Sequence, residues 1–193
     1  MGQYLAVGLP YQIFVAPENT YNRIVSLEDV REEMERSQRY DMNLFEGEEK
    51  GESRHVFTLK HDVLKEGLLP FLEAFYPTIY GEPRDERTDF PRGYSQALEA
   101  LRTTPFEQWL DFAREKSNYA FQMDDNVETQ YLEIQKSVRP VVRLQFHCLL
   151  LYIGYGKVIT EGLNDFANFF KFCFHETFPK HPIAKAVKIY ITG

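Results

Sequence analysis

Cysteine is scarce in this chain, and what little there is sits badly for cross-linking. Cys148 and Cys173 are the two cysteines, and each lies inside an apolar run. A disulfide framework is therefore not expected, and a reducing cytoplasm is the expected compartment. Positive charge is also short. Lysine and arginine number 22 against 29 aspartates and glutamates, for a net charge of -7. That balance argues against general nucleic-acid binding, which needs a basic face, and against an anionic membrane surface. It allows a basic protein partner, whose approach an acidic surface accelerates. Long apolar runs are missing too. None approaches the ~20 residues of a membrane-spanning helix. No basic stretch followed by an apolar core opens the chain, so no signal peptide is expected. Met1-Gly2 resembles the start of a myristoylation site, but Ala6 occupies the usual serine or threonine position.

Catalytic signatures are absent as well. There is no Walker motif, no Gly-x-Ser-x-Gly elbow and no His-Glu-x-x-His segment. Gly154-x-Gly156 lacks the third glycine of a dinucleotide fingerprint. His147, Cys148, Cys173 and His175 suggest zinc at first sight. However, neighbouring strand residues point to opposite faces, which separates His147 from Cys148. Helical neighbours two apart diverge by about 200°, which separates Cys173 from His175. The cluster Asp124-Asp125-Asn126-Val127-Glu128 lacks the ligand spacing and glycine of a calcium loop and reads as a turn. No metal and no cofactor is expected.

What the chain does have is enough length and apolar content for a core. At 193 residues and 44% hydrophobic, roughly 70% of the extended-chain surface can be buried without covalent staples. One α+β domain over residues 1–193 is expected, with room for a helical subdomain at about 61–117.

The organising stretch is residues 138–155, VRPVVRLQFHCLLLYIGY. At a period of two, Val142, Leu144, Phe146, Cys148, Leu150 and Tyr152 form an apolar face. Val141, Arg143, Gln145, His147, Leu149 and Leu151 form a face that is polar first and apolar later. A strand that passes from half-buried to fully buried has this pattern. A buried helix opened by Pro140 also fits the apolar content. The strand is preferred for its valine, isoleucine and aromatic residues.

Other elements follow in order. Leu5, Val7 and Leu9 alternate, and Tyr11, Ile13 and Val15 resume after Pro10, so a broken strand or two short strands are expected. Ser26 and Asp29 form a capping box for a helix running to about Arg39, with Val25 and Val30 as its staple and Glu32–Arg36 and Glu35–Arg39 as ion pairs. Residues 46–54 read as a charged loop. In residues 54–60, His55, Phe57 and Leu59 share one side of a strand. Gly67 and Pro70 predict two helical pieces after His61. Residues 80–94 read as an irregular loop, and residues 95–102 as a helix. Thr104-Pro105-Phe106-Glu107 predicts a threonine-capped helix with Trp109 in the core. Short strands at 118–123, 131–135 and 157–160 would flank the central stretch in an antiparallel meander, with a turn at 124–129. A phenylalanine-rich helix over 162–178 and a final strand over 186–192 complete the chain. The expected class is α+β, a mainly antiparallel sheet with a C-terminal meander and helices packed on one face.

In that meander Gln122, Glu133, Gln135, Arg143, Gln145 and His147 share one polar sheet face. Three functional readings follow. A non-enzymatic interaction protein leads, with an immunity-type neutraliser of a basic partner as its concrete form, because charge and size suit it and catalytic signatures are missing. A small-molecule enzyme would use His147 as acid or base, oriented by Glu133 and assisted by Arg143. A structural homodimer would join through a strand edge or the aromatic helix.

Overall fold

The computed structural model describes residues 4–18, 24–37, 40–80, 99, 101–114, 121–136, 139–155, 186 and 188–192. The class is α+β with a mainly antiparallel sheet. Its strands are β1 (Tyr4–Pro17), β2 (Phe45–Gly51), β3 (Arg54–Leu59), β4 (Phe121–Glu133), β5 (Val141–Tyr155) and β6 (Lys188–Thr192). Their order is β2-β3-β1-β5-β4, and β6 pairs with β1. Helices that can be bounded among the described residues are α1 (Leu27–Arg36), α2 (His61–Tyr80) and α3 (Trp109–Arg114), and residues 99 and 101–103 are also helical. The expected strand at 157–160 and helix at 162–178 lie outside the described residues.

The chain divides into two compact units. The unit made by residues 10–61 and 125–148 is an antiparallel ladder with α1 on one face. β1 pairs β3 antiparallel, with Ile13 opposite Phe57 and Val15 opposite His55. β2 continues the row, with Phe45 opposite Leu59 and Gly47 opposite Phe57. This register puts Ile13, Val15, Phe45, His55, Phe57 and Leu59 on one side, and all are buried. Val142, Leu144, Phe146 and Cys148 of β5 are equally buried, and Phe146 stacks on Tyr40 at 5.3 Å.

Helix α1 starts where expected. Ser26 Oγ accepts from the Asp29 N–H at 3.2 Å, and the Asp29 carboxylate accepts from the Ser26 N–H. Val30 and Met34 point into the core. The helix ends at Arg36, capped by Ser37, earlier than the predicted Arg39. Arg36 pairs with Glu33 and not with Glu32, since residues three apart also face each other. Arg31 reaches the other way. It donates to the Met42 carbonyl at 2.7 Å and the Phe45 carbonyl at 3.2 Å, and its guanidinium lies 5.3 Å over the Phe57 ring.

Residues 46–54 are not a loop. They form strand β2 and a two-residue turn into β3. The charge that suggested a loop belongs to an edge strand, where Glu46, Glu48, Glu49 and Lys50 face water. The inward position is Gly47, where a Cβ would stand 3.0 Å from both Leu27 and Phe57. Only the missing side chain lets α1 approach there. The turn uses Gly51 at φ 142 and Ser53 at φ 56, conformations that cost a side-chain-bearing residue. At Ser53 the cost is offset, because its buried hydroxyl accepts from the Val25 N–H at 2.7 Å. His55 Nε2 meets the Val25 carbonyl at 2.7 Å, so that nitrogen carries the proton. Two side chains of the hairpin thus satisfy both backbone groups of the residue that leads into α1.

β1 is one strand through Pro10, not two. β6 pairs residues 4–8 and β3 pairs residues 12–15. Pro10 falls between these registers, where its missing N–H interrupts neither ladder. β4 is also continuous, so the predicted turn at 124–129 is replaced by extended chain. The turn preference of Asp124-Asp125-Asn126 is a local effect, and β5 beside it offers a 15-residue partner.

The other unit comprises residues 1–9, 62–124 and 149–193. α2 runs unbroken through Gly67 and Pro70. Leu64, Gly67 and Leu68 are buried, while Glu66 and Pro70 are exposed. The carbonyl that Pro70 leaves unbonded belongs to Glu66, on the water side, where the loss is smallest. Thr104 does not cap a helix. Phe106–Gln108 is a 3-10 turn leading into α3, with Pro105 at the cap position and no side-chain cap. Trp109 is core, as expected, at 7% exposure. Its indole N–H is shared between the Leu101 and Thr104 carbonyls, each at 3.0 Å. Leu149 and Leu150 are both buried, which matches the predicted change along β5. Among the described residues, no helix is long and apolar enough to cross a membrane.

Candidate interaction face

β5 places the polar residues on the face opposite α1. With Val142, Leu144 and Phe146 buried, the period-two geometry turns Arg143, Gln145 and His147 the other way. Arg143 is exposed, and Gln145 and His147 are half-buried. The His147 ring packs on Phe14 of β1 at 4.3 Å. Phe14 stands opposite Val56, and Val56 opposite Glu48. One row therefore crosses four strands as Glu48, Val56, Phe14 and His147. The adjacent row holds Glu46, Thr58 and Gln12, with Gln12 Nε2 donating to the Thr58 hydroxyl at 3.3 Å. The face is thus an apolar seam, Val56 and Phe14, between a carboxylate edge and a histidine.

The remaining predicted residues are spread. Glu133 ends β4, is exposed, and pairs with Arg139 at 3.3 Å. Gln135 lies beyond the end of β4, and its backbone N–H donates to Glu33 of α1 at 3.3 Å. The side chain of Gln122 lies outside the described residues. Tyr131, 59% exposed, joins the exposed side of β4.

Two kinds of residue were missed by sequence reasoning. Phe14, Val56 and Thr58 enter this face through a pairing of β1 with β3 that nothing local announces. Glu46 and Glu48 enter it because β2 is a strand. Their alternation with Phe45 and Gly47, two residues before a clear strand partner, was the available signal.

The carboxylate of Asp29 on α1 is the described group with a displaced pKa. Burial works to raise it, but hydrogen bonds from Lys136 and from the Ser26 hydroxyl and N–H, with the Lys136 charge, outweigh burial and hold it below its ordinary value. A lowered folded-state value means that Asp29 contributes stability above the unfolded pKa of about 4 and loses it as pH falls through the folded value. The urea midpoint of the wild-type protein is expected to exceed that of Asp29→Asn at pH 6, with the gap closing towards pH 2. An unchanged gap across that range would remove Asp29 as the source.

Among the described residues, no three histidine, cysteine, aspartate or glutamate side chains gather to hold a metal. Cys173 and His175 lie outside them. Glu128 accepts from Gln130. Comparison with protein-family models, curated proteins and solved structures finds no match to this chain.

Proposed function

We propose that this chain is a cytoplasmic protein-interaction module that takes a basic partner and acts by binding, an immunity-type neutraliser being its concrete form. The observation that carries this reading is strand β2. It is the last strand of the sheet order, and it presents Glu46, Glu48 and Glu49 to water within seven residues. The chain's net charge of -7 has the same sign, so local and long-range fields both attract a cationic protein. The polar face adds Phe14 and Arg143, and β4 adds the exposed Tyr131, residue types that anchor protein interfaces.

The test is capture from the protein's own cells at low salt, followed by release as salt rises. Basic proteins are expected in the salt eluate, because screening weakens exposed charge pairs. Recovery of no basic protein would overturn the reading.

A further inference from the structure

We propose that β2 is the docking edge itself, and that the partner supplies an extended, lysine- or arginine-bearing segment that adds to the sheet as a further strand. This rests on the interaction reading and specifies its mode. Among the described residues β2 pairs with β3 alone. In such an edge strand alternate residues turn their N–H and C=O groups outward; the Phe45 carbonyl is already taken by Arg31, so the open stretch of the edge follows it. A segment laid along it makes main-chain hydrogen bonds without needing a pocket.

Charge selects the occupant. Glu46 and Glu48 lie two residues apart on one face, opposite Thr58 and Val56. Cationic residues at alternate positions of an added strand fall directly beside them. Lys50 answers part of this charge through its pair with Glu48 at 2.5 Å. Glu46 and Glu49 keep the edge acidic, as does Glu52 in the turn. Arg54, at the start of β3, marks the basic end of the edge. The same glutamates act against a second copy of β2, since like charges directly opposite repel. A neutral strand gains nothing from them. The edge therefore refuses itself and admits a basic strand.

The other face of β2 is closed to a partner's side chains at Gly47, where Leu27 and Phe57 already fill the space. An added strand gains its side-chain contacts on the Glu46–Glu48 face.

The probe is a capped peptide, Thr-Lys-Val-Lys-Val-Lys-Thr, which puts its lysines on one face of a seven-residue strand. It is titrated into the full chain at low salt and compared with the same peptide N-methylated at alternate amides. It is also titrated into the Glu46→Lys/Glu48→Lys variant, whose fold is checked by its urea midpoint. Binding is expected, with a loss of tenfold or more on N-methylation and on charge reversal, and with slowed hydrogen exchange at β2 amides. Equal binding of the methylated peptide would overturn strand addition, because simple charge attraction does not need the amides. Equal binding to the reversed variant, or no binding of the parent peptide, would also overturn it. If capture of a basic partner by the intact protein persists in those cases, the interaction reading stands and only the edge mode falls.

Discussion

Replacing Phe57 with alanine is expected to destabilise the protein by about 4 kcal/mol, the usual scale for emptying a phenylalanine site in a core. Phe57 is fully buried. It fills the space above Gly47, touches the position reached by Leu27, and supports the Arg31 guanidinium from below. It is paired on both sides, with Ile13 and with Gly47. Few neighbours can move into the vacancy, because β1 and β2 are held by register and α1 by its tethers. Against the ~5–15 kcal/mol total of an ordinary domain, the loss is a large fraction. Phe57→Leu keeps most of the volume and is expected to cost less than about 1.5 kcal/mol. Urea denaturation of both variants tests the order. A loss under 1 kcal/mol in Phe57→Ala would show that the α1 face is not the centre of the core.

Arg31→Met is expected to cost about 3 kcal/mol. The substitution keeps the aliphatic stem and removes two charge-assisted hydrogen bonds, each of the ~1.5–3 kcal/mol class, with the half-exposed guanidinium at the low end. It leaves the carbonyls of Met42 and Phe45 without their described donor, and both residues are buried. The attraction to the Phe57 ring adds roughly 0.5–1 kcal/mol. Lysine cannot reach both carbonyls with one fork, so Arg31→Lys is expected to recover less than half. The comparison is Arg36→Met on the same helix, an exposed ion-pair change expected to stay within about 0.5 kcal/mol. Combining Arg31→Met with Phe57→Ala should cost less than the sum, because each removes the other's partner. Strict additivity would argue against the contact. The expected site of damage is β2, whose amides should exchange faster than those of β3.

These two side chains also show where the fold was readable. The α1 start depends on residues three to five apart, Ser26 with Asp29 and Val25 with Val30, so its signal is local and the structure follows it. The alternation in β5 is local as well, and Val142, Leu144 and Phe146 are buried where the period of two puts them. β2 failed the same reading because an edge strand buries so little. Phe45 and the empty Gly47 position are its whole inward contribution, and four charges cover the rest. α2 and β4 failed for the opposite reason. Pro70 and the Asp124-Asp125-Asn126 segment are strong local breakers, overruled by a continuous helix and a long strand partner. The candidate face was half legible. Arg143, Gln145 and His147 follow from one strand's alternation, whereas Phe14, Val56 and Glu48 depend on which strands become neighbours. That choice is made by distant pairings, which no window of sequence contains.

The pairing of β1 with β6 sets a clock on the chain's biogenesis. Tyr4 lies opposite Thr192, and Gly8 opposite Lys188. A ribosome adding ~5–20 residues per second therefore exposes the first strand roughly ten to forty seconds before its last partner exists. During that interval the side of the segment Tyr-Leu-Ala-Val-Gly at positions 4–8 that β6 later takes is an open strand edge, the kind of surface chaperones hold. Newly made protein should depend on such help more than mature protein does.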